Sequence, residues 1–100
     1  MLYSAGPCSV CGEMSEAFLV QDIKSKRIFF ACPACGIGWS KPPQIGHVDT
    51  IDPISVFAPT GIVFPTQEAI RLAGLEELVV KQLDDSWRSL FEKDLPGSVN

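Results

Sequence analysis

The chain has 100 residues, 46% of them hydrophobic, and a net charge of −4. That length holds one domain with a modest core and is too short for two independent ones. Its longest apolar runs, "SVFAPTGIVFPTQ" among them, are broken by proline and glycine and fall far short of the roughly 18 residues a membrane span needs. The opening "MLYSAGPCSV" has no basic stretch followed by an apolar one. No signal peptide is therefore expected, and the chain is assigned to the cytoplasm without a membrane partner.

All four cysteines fall in two C-x-x-C-G units, "CSVCG" at 8–12 and "CPACG" at 32–36. In a reducing cytosol structural disulfides are rare, and a bridge inside C-x-x-C closes a loop too small to restrict the unfolded chain much. A thioredoxin-like site uses one such motif at the start of a helix, whereas here it occurs twice around a hairpin pattern. The spacing suits a metal instead. Two residues between cysteines let the chain turn so that both sulfurs face one ion, and two such turns complete a tetrahedron. Cys8 and Cys11 supply one half, Cys32 and Cys35 the other. Gly12 and Gly36 follow the second cysteine of each pair, where a tight reversal favours a residue able to take positive φ. Pro33 fixes φ inside the second turn.

Between the two units, "EAFLVQDI" (16–23) and "KRIFFAC" (26–32) are rich in β-branched and aromatic residues, and the polar "KSK" between them supplies a turn. Phe18, Val20 and Asp22 share one face of the first strand and Ala17, Leu19 and Gln21 the other, an imperfect alternation. A short third strand near Gly38-Trp39-Ser40 is expected to pair with this hairpin and lay the Trp39 indole across it.

Cys8-Ser-Val-Cys11-Gly12, the hairpin, and Cys32-Pro-Ala-Cys35-Gly36 together resemble a zinc ribbon, the rubredoxin-like double-knuckle group, over residues 1–42. The resemblance implies a three-stranded ribbon clamping one structural Zn²⁺ through Cys8, Cys11, Cys32 and Cys35. Iron in the same four thiolates, with electron transfer, is the alternative. A fold and a metal follow from this, not an activity. A segment of about 40 residues also lies near the size at which a core alone fails and a metal is needed.

"SKPPQIGH" (40–47) is linker-like, with Pro42-Pro43 extended and Gly46 at a turn. Residues 43–100 are expected to form one compact unit with the ribbon, adding a second hairpin and a helical segment to give an α+β fold. In "DPISVFAPTGIVFPT", apolar arms flank Pro59-Thr60-Gly61, and Ile54, Val56, Ile62 and Phe64 are the core candidates. Thr66 is placed to cap a short helix, with Glu68 in its first turn and Gly74 closing it. From there Leu75, Leu78, Val79, Leu83, Trp87, Leu90 and Phe91 recur at three and four, the stripe of an amphipathic helix ending before Pro96-Gly97. The stripe faces either the core or a partner.

Charge divides unevenly. Residues 1–47 carry four basic against three acidic side chains, or +1; residues 48–100 carry four against nine, or −5. Lys24, Lys26 and Arg27 at the hairpin tip make a thin basic patch, the basis of an alternative reading as a nucleic-acid-binding ribbon. The acidic half points toward a protein partner. Glu76, Glu77, Asp84, Asp85 and Glu92, if exposed, would steer association with a basic protein such as a nuclease, as a cytoplasmic inhibitor or immunity protein does. The single histidine, His47, with Asp49 and Asp52, offers a remote second metal site. There is no G-x-S-x-G, phosphate-binding loop or H-E-x-x-H, so no enzymatic activity is proposed from the sequence.

Overall fold

The protein is described from a computed structural model, which places residues 1–8, 12–39 and 51–94. Among these, seven strands form one sheet: β1 (Leu2–Cys8), β2 (Gly12–Asp22), β3 (Ile28–Cys32), β4 (Ile37–Trp39), β5 (Ile51–Pro53), β6 (Ile62–Val63) and β7 (Lys81–Leu83). Their order is β5-β4-β3-β2-β1-β7, with β6 also paired to β2. Every pairing is antiparallel. Two short helices, α1 (Ile54–Phe57) and α2 (Gln67–Leu72), and 3₁₀ segments at Glu76–Leu78 and Asp85–Asp94 complete an α+β architecture.

The β2–β3 hairpin forms in the expected place, with Phe18 opposite Ala31, Leu19 opposite Phe30 and Val20 opposite Phe29. Its imperfect alternation has a physical cause: Ala17, Phe18, Leu19 and Val20 are all buried, because both faces of the sheet are covered. Phe18, Val20, Phe29 and Ala31 belong to one core with Leu2, Ile54, Ala58, Ile62 and Phe91. Ala17, Leu19, Phe30 and Cys32 belong to the other, with Cys8, Trp39 and Ile70. The third strand forms as β4, with Trp39 opposite Phe30 and buried. The turn is wider than "KSK": Lys26, at φ 67°, and Arg27 lie outside β3.

Strand β1 was not expected. It gives the first 40 residues four strands rather than three, and it makes a central pairing with β2, interrupted by irregularities between Ser4 and Cys8. Gly6 takes φ 112° there, a backbone state that an L side chain rarely adopts.

The second hairpin does not form. The turn at Pro59-Thr60 is present and Gly61 takes φ 120°, but the arm before it coils into α1. The arm after it, β6, pairs with Gln21 and Asp22 of β2, taking the length of β2 that β1 leaves unpaired. Ile54 and Ile62 are buried and Phe64 packs against the first core, whereas Val56 is 60% exposed on α1. Helix α2 matches expectation: the Thr66 hydroxyl accepts from the Ala69 N–H at 3.1 Å, and Gly74 follows with φ 74°.

The apolar stripe from Leu75 is not one helix. Strand β7 divides it and pairs with β1 through Leu2↔Leu83 and Ser4↔Lys81. Leu75, Leu78 and Val79 join the second core, while Leu83, Trp87 and Phe91 join the first. Leu90 is exposed. The segment therefore wraps the sheet edge and feeds both faces. Pro42, Pro43, Gly46 and Pro96-Gly97 lie outside the described residues.

Candidate metal centre

Among the described residues, three cysteines converge. Cys8 ends β1, Cys32 ends β3, and Cys35 sits in the turn leading to β4. Antiparallel pairing of β1 and β3 on either side of β2 carries the first two to the same end of the sheet. The turn at 32–36 is closed by the Gly36 N–H donating to the Cys32 carbonyl at 2.9 Å, and Gly36 takes φ 70°, as its position in "CPACG" suggests. The Gly36 carbonyl in turn accepts from the Ile54 N–H at 3.1 Å, so the start of α1 braces this turn from outside.

The sulfurs of Cys8, Cys32 and Cys35 all lie within 4.8 Å of one another, and the three residues can hold a metal ion. Cys8 Sγ and Cys35 Sγ are 3.8 Å apart. Cys8 and Cys32 are buried and Cys35 half-buried, with Trp39, Phe30, Leu19 and Ile37 in the same cluster. An ion here would sit in a largely apolar shell. Cys11 lies outside the described residues.

Of the remaining candidates, Lys24, Lys26 and Arg27 share the hairpin tip and are exposed. Asp22 organises that tip: its carboxylate accepts from the Ser25 hydroxyl at 2.6 Å and from the N–H groups of Lys24 and Ser25. The Ser25 hydroxyl, then those N–H groups, hold the Asp22 carboxyl below its ordinary value of 3.8 against its partial burial. The tip is thus at the opposite end of β2 and β3 from the sulfurs.

Glu76, Glu77, Asp84 and Asp85 are all exposed and flank β7. Asp84 accepts from the Ser86 hydroxyl, which lowers its carboxyl pKa, and Asp85 pairs with the chain's amino terminus at 2.6 Å. The side chain of Glu92, with His47 and Asp49, lies outside the described residues; Asp52 is exposed on β5. One polar group escaped the sequence. Glu16, half-buried, accepts from the buried Ser4 hydroxyl at 2.7 Å and pairs with Lys81 at 3.0 Å, tying β7 to β1 and β2. No spacing rule signals it, because it depends on the unforeseen β1–β7 pairing.

No family model, curated protein or solved structure matches this chain. Among the described residues no helix is long and apolar enough to cross a membrane.

Proposed function

We propose that this protein is a non-catalytic, zinc-stabilised module that binds another protein through the acidic surface around β7. The observation that carries the metal is a distance. Four sulfurs each about 2.3 Å from one tetrahedral zinc lie about 3.8 Å apart, and Cys8 Sγ and Cys35 Sγ are 3.8 Å apart. Cys32 is within the same cluster, and the C-x-x-C spacing makes Cys11 the fourth ligand. The double-knuckle zinc ribbon is the arrangement these features support, enlarged here by β1. Four thiolates close the coordination shell and leave no position for a water or substrate, so the ion acts by holding β1, β3 and the turn before β4 together. A reducing cytoplasm fits such ligands.

The binding role rests on charge. Glu76, Glu77 and Asp84 are exposed beside a strand at the sheet's edge, where like-signed carboxylates raise the encounter rate with a basic partner. Two experiments test the two halves. Cobalt(II) loaded in place of the native metal should give the visible spectrum of a tetrahedral thiolate site; an octahedral spectrum contradicts the four-sulfur assignment. Simultaneous charge reversal of Glu76, Glu77, Asp84 and Asp85 should abolish partner capture at low salt, and unchanged capture contradicts the acidic surface.

A further inference from the structure

Strand β7 is three residues long and ends the strand order, so its outer edge has no strand beside it among the described residues. Lys81 and Gln82 are exposed, and Val80 just before them is 64% exposed. An open edge of this kind is a template for another extended chain. A second copy is the wrong occupant, since edge-to-edge pairing would bring two sets of Glu76, Glu77 and Asp84 together.

On the face of the sheet that carries the sulfur cluster, β7 borders a hollow of about 150 Å³ lined by Tyr3, Gln67, Ile70, Glu76, Val79 and Gln82. Tyr3 and Gln82 are register partners across β1 and β7, so the hollow opens directly beside the edge strand. Its chemistry is specific. Ile70 and Val79 offer apolar walls and Tyr3 an aromatic one, while the side-chain amides of Gln67 and Gln82 offer acceptor oxygens. Glu76 supplies the only carboxylate among the lining residues. Its carboxylate has no ion-pair partner among the described residues, unlike Glu16, which Lys81 neutralises, and Asp85, which the amino terminus neutralises. Apolar walls match the methylene stem of a lysine, and a carboxylate with amide oxygens matches its ammonium.

The geometry points to a lysine-binding subsite: an extended partner segment adds along the outer edge of β7 and places one lysine in the hollow against Glu76. This rests on the acidic-surface reading above and narrows it to a partner of stated chemistry, a basic segment in extended conformation. Main-chain hydrogen bonds to β7 supply affinity, and the hollow selects the side chain. Arginine, with a planar fork broader than an ammonium, fits a hollow of this small volume less well.

The test uses the whole metal-loaded protein and a synthetic octapeptide of alternating lysine and valine, compared with the same peptide carrying norleucine for lysine. The expected result is saturable binding of the lysine peptide at low salt, with backbone amide shifts centred on Tyr3, Glu76 and Val79–Leu83 and slowed hydrogen exchange in β7. Glu76→Gln should weaken it roughly tenfold, the loss of one charge-assisted contact, and the norleucine peptide should not bind. Two results overturn the subsite. If Glu77→Gln and Asp84→Asn weaken binding while Glu76→Gln does not, the acidic surface acts without the hollow and only the subsite falls. If no lysine peptide binds the native protein at low salt, the subsite and the acidic-surface reading fall together. The same amide spectra report whether each variant is folded, so loss of binding through unfolding is distinguished.

Discussion

The two faces of this sheet are closed in different ways although the same strands line both. On the first face the contacts are aromatic. Phe18 meets Trp87 and Phe91 with ring centroids 5.6 Å apart in each case, Phe29 stacks on Phe57 at 5.1 Å, and Phe64 meets Phe91 at 5.4 Å. On the second face the large rings are fewer, and the cover consists of Ile70, Leu75, Leu78 and Val79 with the cysteines at one end. The difference shows where the proposed metal would act. A face covered by interlocked aromatics holds itself by area and ring contacts, whereas on the proposed reading a ligand draws together the converging turns that end the other.

This contrast is best broken by removing each device in turn. Cys32→Ser takes one sulfur from the cluster and should cost the most, because the free energy of zinc binding in such small sites, on the order of 10 kcal/mol, is spent in folding. Metal content and near-ultraviolet circular dichroism check it; a folded, metal-free variant would show that the cysteines do not carry this face. Phe18→Ala should cost about 3–5 kcal/mol through the cavity it leaves while the protein keeps its metal. Denaturant titration with metal analysis measures both, and metal loss at native pH would mean that the faces are not held separately.

Two smaller changes sharpen the comparison. A Cβ at Gly38 would lie 3.0 Å from Phe57 Cδ2, 3.2 Å from the Phe30 carbonyl and 3.3 Å from Phe29 Cδ2, so the Phe29–Phe57 stack requires glycine there. Gly38→Ala should cost about 1–3 kcal/mol by overpacking the first face, read as a lowered denaturation midpoint. Thr66→Ala removes the cap of α2, which covers the second face, and should cost about 1 kcal/mol by the same measurement.

The smallest expected effect is a pH dependence at the hairpin tip, far from the sulfurs. The Ser25 hydroxyl and two backbone N–H groups hold the Asp22 carboxyl below 3.8, so folding favours the ionised form. The stability this contributes is present above pH 3.8 and is lost as pH falls through the lower folded-state value. Amide resonances of Lys24 and Ser25 should therefore shift together below pH 3.8, and a transition above it contradicts the arrangement.

Much of the second face was legible in the sequence, and less of the first. The turn of the C-x-x-C-G unit at 32–36 with Cys8 beside it, the β2–β3 hairpin, Trp39 in β4 and the Thr66 cap each follow from a local rule that the tertiary structure leaves intact. What escaped did so for long-range reasons. "LYSAGPC" has few strand formers and forms β1 because β2 and β7 offer it partners on both sides. The spacing of three and four from Leu75 to Phe91 is helical at its two ends, in the 3₁₀ segments Glu76–Leu78 and Asp85–Asp94, and fails between them, where β7 pairs with β1 instead. Ile62 and Val63 left their own hairpin because β2 extends beyond β1 and offers an open edge.

The central claim is that the cysteines meet around an ion without which the second face does not close. It is tested most directly by native mass spectrometry and elemental analysis of protein purified without added metal, followed by chelation. The account predicts one zinc per chain and loss of the folded charge-state distribution when the metal leaves. A chain that carries no metal, or that stays folded after the metal is removed, would contradict it.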